Sequence, residues 1–234
     1  MKQITAFSKA LDKAVQRISK MSEQAAAVKQ FYELGNLKAA YEHAMKLEET
    51  AERTVLLARV LPVYTGCPQA ELETENIIKI CMPVEIGFTS ENWFSIRIPA
   101  LLPKKTEGSA DYIRSSLYLA MRDFFVKAPP VRYRDCVLIY RHVYDETRPE
   151  RQKRDHDNIE INMVSDIVAM YVMPDDGPDV CSHYYCSSKA AADRTEVYVV
   201  PKRDFTAWLE AEPNMPDEGV KLYEKTLLWR KKHM

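Results

Sequence analysis

The sequence lacks the short motifs of several common catalytic classes. No glycine-rich phosphate loop, no HExxH and no GxSxG occurs, which argues against nucleotide-dependent enzymes, metalloproteases and serine hydrolases. A long apolar run is missing too. The first residues, MKQITAFSKALDKAVQ, carry charges throughout, so no secretory or membrane-spanning segment is predicted there. Net charge is nearly absent, with 33 Lys and Arg against 34 Asp and Glu giving −1. No global positive field announces a nucleic-acid partner. The five cysteines, Cys67, Cys81, Cys136, Cys181 and Cys186, are odd in number and widely spread. With no signal peptide ahead of them, they predict a reducing cytoplasmic setting rather than a disulfide framework. Cys181-Ser-His-Tyr-Tyr-Cys186 has zinc-ligand residue types, but on a strand residues 181 and 186 face opposite sides of the sheet.

What is present supports a folded protein. At 234 residues with 46% hydrophobic content, the chain has enough for one large or two small domains with a real core. The charge also divides by position. Residues 93–154 hold 13 basic against 7 acidic residues, and residues 155–205 hold 4 against 10. A basic stretch followed by an acidic one suits carboxylates gathered around a cation beside side chains that meet phosphates. It equally suits two solvated surfaces that differ.

Apolar or small residues at Ile4, Phe7, Leu11, Ala14, Ile18, Met21, Ala25, Val28 and Tyr32 alternate steps of three and four, which predicts a long helix with a seam. Gly35-Asn36 breaks it and offers an N-cap. Leu37, Ala40, Ala44, Leu47, Ala51 and Ala58 then continue a small-residue stripe toward Pro62. Residues 1–62 are expected to form an antiparallel helical hairpin, read as an accessory to the main domain rather than a dimerising arm. Residues 63–92 read as a connection with a short helix around 71–80. A domain over 93–205 follows, with a strand at 93–99, a helix at 111–126, a strand at 135–144, a helix to about Val172, and strands at 182–187 and 195–200. The expected fold class is α+β, in a β-α-β-α-β-β order with the helices on one side of a sheet. Residues 206–234, with Trp208, Tyr223 and Trp229, are expected to pack back as a helical tail.

The chemistry-bearing residues flank the second helix of that domain. Asp155 and Asp157 stand at its mouth, and Asp175-Asp176 follow its far end. The spacing is about 15 helical residues, roughly 23 Å at about 1.5 Å each. The two clusters meet only if the chain turns back along the helix or the helix is shorter. Converging carboxylates would suit Mg²⁺, which takes oxygen ligands and keeps waters that can become the attacking hydroxide. Asn158 would hold a carboxylate or metal water in place, and Arg148, Arg151, Lys153 and Arg154 would fix a DNA backbone. Each motif also has a structural reading. Asp157-Asn-Ile-Glu160 fits a capping box, and Asp-Asp-Gly-Pro is ordinary turn chemistry.

In its order of parts, residues 93–201 resemble the RusA-like Holliday junction resolvases: a basic loop, Asp155-His-Asp-Asn158, a helix, Asp175-Asp176, then two strands ending in Thr-Glu-Val-Tyr-Val. The resemblance implies a RusA-like domain in a homodimeric, Mg²⁺-dependent enzyme, with Mn²⁺ as a substitute, that nicks four-way DNA. It also implies metal carboxylates on Asp155, Asp157 and Asp176, with Asn158 and Asp175 in support. The sequence departs from that family at Ile161, where a lysine is usual three residues after the Asn. Lys153 or Lys189 would have to substitute for it. A second reading therefore stays open, in which the fold serves as a non-catalytic DNA-binding or protein-interaction module. A third makes every Asp a cap or a turn.

Overall fold

The computed structural model describes residues 2–103, 105, 111–147 and 155–215. The chain divides into two compact units. One holds helices α1 (Lys2–Glu33) and α2 (Leu37–Tyr64) with most of α3 (Ala70–Cys81). The other holds a five-stranded sheet with its flanking helices. No helix among the described residues is long and apolar enough to cross a membrane.

The hairpin turns where the sequence predicts. Gly35 takes φ +70, the left-handed conformation that glycine adopts without a Cβ penalty. The Asn36 side chain accepts from the Ala39 N–H at 3.1 Å and caps α2. The expected seam, however, splits in two. Ala14 is buried and Phe7, Met21 and Val28 are half-buried, whereas Leu11, Ile18, Ala25 and Tyr32 are exposed. The inward set recurs every seven residues, and the outward set is the other apolar position of the same heptads. A heptad needs neighbours on both sides of its contact line to bury both positions. In the hairpin α1 meets one helix, and only the position aimed at α2 is covered. The same spacing recurs across the contact, with Ala40 and Thr54 buried and Leu47 half-buried. Buried hydroxyls there are satisfied locally, since Thr50 and Thr54 donate to the carbonyls four residues back at 2.8 and 2.6 Å.

The sheet unit comprises β1 (Glu85–Phe88), β2 (Phe94–Ile98), α4 (Asp111–Lys127), β3 (Cys136–Asp145), a 3-10 turn (His156–Asn158), α5 (Asn162–Val172), β4 (Cys181–Ala190), β5 (Arg194–Pro201) and α6 (Phe205–Ala211). Its order is β1-β2-β5-β3-β4. All neighbours are antiparallel except β3 and β4, which run parallel. A parallel pair needs a long crossover, and the segment containing α5 provides it. β1 lies in the stretch expected to be a connection. Its four residues include Gly87 and enter through Pro83, and the turn to β2 is carried by Asn92 at φ 70. The strong hairpin dipeptides are absent there.

Register sorts the side chains onto two faces. Phe88, Phe94, Ile96, Val197, Val199, Leu138 and Tyr140 share one of them. Helices α4 and α5 both cover that face, as expected. Phe125 packs on Phe94 with ring centroids 5.8 Å apart and stacks on Tyr171 of α5 at 5.5 Å. The opposite face carries Val137, Ile139, Tyr198 and Val200, covered by α6 through fully buried Trp208. The tail does pack back at Trp208, while Tyr223 and Trp229 lie outside the described residues.

That second face also carries a buried ionic group. Glu196 has no solvent exposure. Its carboxylate accepts from Arg141 at 2.9 Å, from Arg194 at 2.7 Å and from the Tyr198 hydroxyl at 2.8 Å, with Arg97 at 3.4 Å. Arg141 also donates to Glu212 at 2.7 Å, and Arg97 lies 4.0 Å from Glu85. Three guanidinium groups thus meet three carboxylates. Burial pushes the Glu196 carboxyl up, but Arg141, Arg194 and Arg97 together hold it below its ordinary value. A depressed carboxyl contributes stability that is fully present above the unfolded value, near 4.5, and is lost as pH falls through the folded value. Removing one partner of a buried ion group strands the other charges and costs about 3–5 kcal/mol. Glu196→Gln should therefore lower the urea-unfolding free energy by about that amount and remove part of the acid-side loss of stability. An unchanged urea midpoint would show that the arginines do not depend on Glu196.

Candidate functional site

The crossover between β3 and β4 carries every acidic residue of interest, and one buried tyrosine holds its middle. Tyr140 on β3 is fully buried. Its hydroxyl sits 2.7 Å from Ser165 Oγ and 3.3 Å from the Ile161 carbonyl, which it reaches as donor. Burial pushes this phenol well above its ordinary range. Tyr140 so fixes the start of α5 to the sheet.

Helix α5 has 11 residues, Asn162–Val172, shorter than the sequence suggests and about 16 Å long at about 1.5 Å per residue. What precedes it is the 3-10 turn His156–Asn158, closed by the Asn158 N–H donating to the Asp155 carbonyl at 3.0 Å. The expected capping box is not formed. Ile161, not Asp157, occupies the N-cap of α5, and no side chain caps it. Glu160 instead accepts from the Asn162 N–H at 3.0 Å. Asp155 and Asp157 are both exposed and make no cap, so helix capping does not explain either carboxylate. Asn158 is exposed as well.

One contact ties the turn to β4, and burial of Ile159 fixes its end. Ile159 is buried and makes a β-bridge, and His156 Nε2 pairs with Ser187 Oγ of β4 at 2.8 Å. The His156 ring also lies 5.7 Å from His142 and 6.0 Å from Tyr185. The middle residue of Asp-His-Asp is therefore half-buried, and the two carboxylates beside it project from an anchored turn.

At the other end of α5, Asp175 fulfils the turn reading. Its Oδ1 accepts from the Asp176 N–H at 2.9 Å, and a Cβ at position 177 would stand 2.8 Å from its Oδ2, so glycine there lets the carboxylate fold over the loop. Asp176 is half-buried and acts on β4. Burial lowers the His183 imidazole below its ordinary value, and the negative charge of Asp176 opposes that shift. His183, Tyr185 and Ser187 share one face of β4, the face of Tyr140 and α5. Tyr185 stacks on Tyr140 at 5.8 Å and stands 6.4 Å from His183.

The structure thus ties one acidic motif to the far part of β4 through His156 and leaves Asp176 near the start of that strand, where its charge bears on Cys181 and His183. The Asp155-His-Asp157 turn is tied at Ser187, and Asp176 acts at His183. Those two positions are four residues apart, roughly 13 Å at about 3.3 Å per strand residue. Among the described residues, no group of three or more His, Cys, Asp or Glu side chains is arranged to hold a metal ion. Arg148, Arg151, Lys153 and Arg154 lie outside the described residues. Lys189 is exposed near the end of β4. The residues that sequence reasoning missed are Tyr140, Ser165, His183, Tyr185 and Ser187. The last three were legible as a period-two series once 182–187 is read as a strand.

Comparison with known proteins adds a family and little else. A family of unknown function, DUF6100, matches residues 2–226, and the chain belongs to it. No curated protein matches the sequence. Among solved structures, the periplasmic domain of Helicobacter pylori MotB (residues 90–256) is similar at 10% identity, covering 58% of this chain and 98% of that one with a TM-score of 0.29. A likeness that loose carries no argument.

The anchoring contact is open to test. His156→Ala should quicken amide exchange across residues 155–160, including the Asn158 N–H, while lowering global stability by no more than about 1 kcal/mol, the net worth of one hydrogen bond. Exchange at the wild-type rate would show that the His156–Ser187 contact does not hold the turn.

Proposed function

We propose that this chain is a divalent-metal-dependent endodeoxyribonuclease of RusA-like type that cuts branched DNA, with Asp155, Asp157 and Asp176 as the metal carboxylates. The observation that carries the reading is that the two acidic motifs flank a single short helix, the first of them tied to β4 through His156 and Ser187. Neither Asp155 nor Asp157 is used as a helix cap, so the competing explanation for that pair is weakened.

The donor set fits a hard cation by its chemistry: three carboxylates, two exposed and one half-buried, match the oxygen preference of Mg²⁺ or Mn²⁺. When bound, such an ion neutralises charge on a phosphodiester and lowers the pKa of a coordinated water. The chain's own contribution is positional. Tyr140 and Ser165 fix the head of α5, His156 pins the Asp155–Asp157 turn to Ser187, and Asp175 shapes the loop that presents Asp176. For one cation to be held by all three, the Asp176 loop and the Asp155–Asp157 turn would have to approach one another. Arg148, Arg151, Lys153 and Arg154 would hold the DNA backbone, and their contacts would position rather than read sequence. A homodimer would place two such sites on the two strands of a four-way junction.

A second reading has its own observation. At the position where the resembled family carries lysine, Ile161 is half-buried and spends its carbonyl on Tyr140 and the Ser165 N–H. A domain that keeps the fold but has lost cleavage would bind branched DNA without cutting it.

Cleavage of four-way, flap and linear DNA with Mg²⁺ or Mn²⁺ separates these readings. The wild type should cut branched DNA, and Asp157→Asn and Asp176→Asn should each lose activity by orders of magnitude with thermal stability in the absence of metal level or raised, because carboxylate crowding is relieved. Equal cutting by both variants would remove the assignment. Binding without cutting, unrescued by Ile161→Lys, would establish the non-catalytic reading. Replacing Arg151, Lys153 and Arg154 by Ala should weaken binding to all sequences and flatten its salt dependence.

A further inference from the structure

At the start of the parallel pair lies a group of sulfurs that the proposed nuclease chemistry does not use. Cys136 opens β3 and Cys181 opens β4, and the register sets the two opposite each other. In-register residues of neighbouring strands point to the same face. Strands about 4.8 Å apart lie inside the Cα separation of about 4.4–6.8 Å that a disulfide spans. Cys136 Sγ lies 3.4 Å from Met173 Sδ and 3.6 Å from the Val180 carbonyl, and Cys181 Sγ lies 3.4 Å from the Ser182 carbonyl. Both thiols are free and buried, with Cys181 retaining 5% exposure. Cys67 and Cys81 are exposed in other parts of the chain, and Cys186 packs on the opposite face of the sheet beside Trp208.

We propose that Cys136 and Cys181 form a redox-reactive pair that closes into a disulfide on contact with hydrogen peroxide, linking the first residues of β3 and β4. The roles follow from access, since Cys181 keeps 5% exposure and Cys136 1%. Interaction between the two thiols acts in the same sense, lowering the Cys181 thiol below its ordinary value and, with burial, pushing the Cys136 thiol up. Cys181 is thus the nucleophile and Cys136 the resolving thiol. The Cys181 thiolate attacks one peroxide oxygen, the O–O bond breaks, and the departing hydroxide takes up the proton released by that thiol to give water. The resulting sulfenic acid is attacked by the Cys136 sulfur, the S–O bond breaks, and hydroxide leaves as a second water with the Cys136 proton. Two thiols lose two electrons and one peroxide is reduced to two waters. Restricted access at Cys181 is why the oxidant is a peroxide and not a bulky disulfide. The bond would enclose the whole crossover and fix Cys181 at the end of the Asp176 loop, whose Val180 and Cys181 N–H groups already donate to the Gly177 carbonyl at 3.0 Å each.

The test uses the full chain with Cys67→Ser and Cys81→Ser, so that exposed thiols do not cross-link molecules. After peroxide treatment and acid quenching, the protein is unfolded in iodoacetamide, digested without reductant and analysed by mass spectrometry. The expected product joins the peptides of Cys136 and Cys181, two hydrogens lighter than their sum, and dithiothreitol reverses it. Cys181→Ser, or Cys181→Ala if serine unfolds the protein by circular dichroism, should abolish the link. Full alkylation of both cysteines, a sulfinic acid on Cys181 with Cys136 alkylated, or a link from either one to Cys186 would each overturn the proposal. None of these readouts depends on DNA cleavage.

Discussion

The parallel pairing of β3 with β4 is the constraint on which the site depends. An antiparallel neighbour could have been reached through a tight turn, but a parallel one forces the chain to leave the end of β3, travel the length of the sheet outside it and re-enter at the start of β4. Helix α5 makes that return journey. Its two ends therefore lie along β4 rather than far from it. The acidic motifs gain their relationship from this topology. The same pairing sets Cys136 opposite Cys181, because both stand at the first position of their strands.

The two faces of the sheet solve different physical problems. On the α4 and α5 face, aromatic rings fill the space between helices and strands, and the only buried polar contact the site depends on there is Tyr140 with Ser165 and Ile161. That contact is satisfied at both oxygens, as a buried hydroxyl must be to avoid its desolvation cost. On the opposite face Glu196 is buried among arginines. Such a group is tolerated because the charges cancel and both Glu196 oxygens are bonded, and it contributes little net stability relative to an apolar replacement. Its effect is to demand one register: sliding β5 by one residue would turn Glu196 onto the aromatic face.

Much of the fold was legible because periodicity reports burial. The helix at Asp111–Lys127 and the strands at Phe94–Ile98, Cys136–Asp145 and Arg194–Pro201 follow from apolar spacing. β1 was not legible, since four residues containing a glycine carry no pattern long enough to separate a strand from a loop. The seam of α1 was legible as a helix but not in its orientation, because 3-4 spacing states which positions are apolar and not how many neighbours will cover them. At the site, the acidic residues were visible as a motif. Their supports were not, because Tyr140, Ser165 and Ser187 come from three different elements and meet only through the crossover. The supposed cap at Asp157 failed for a related reason: the helix begins later, at Asn162, once Ile159 is drawn into the core as a bridge.

The missing lysine acquires a structural meaning from these contacts. A lysine at position 161 would occupy a half-buried site whose backbone carbonyl already receives Tyr140 and the Ser165 N–H. Only the side chain would differ, because both contacts at this position are made by the backbone carbonyl.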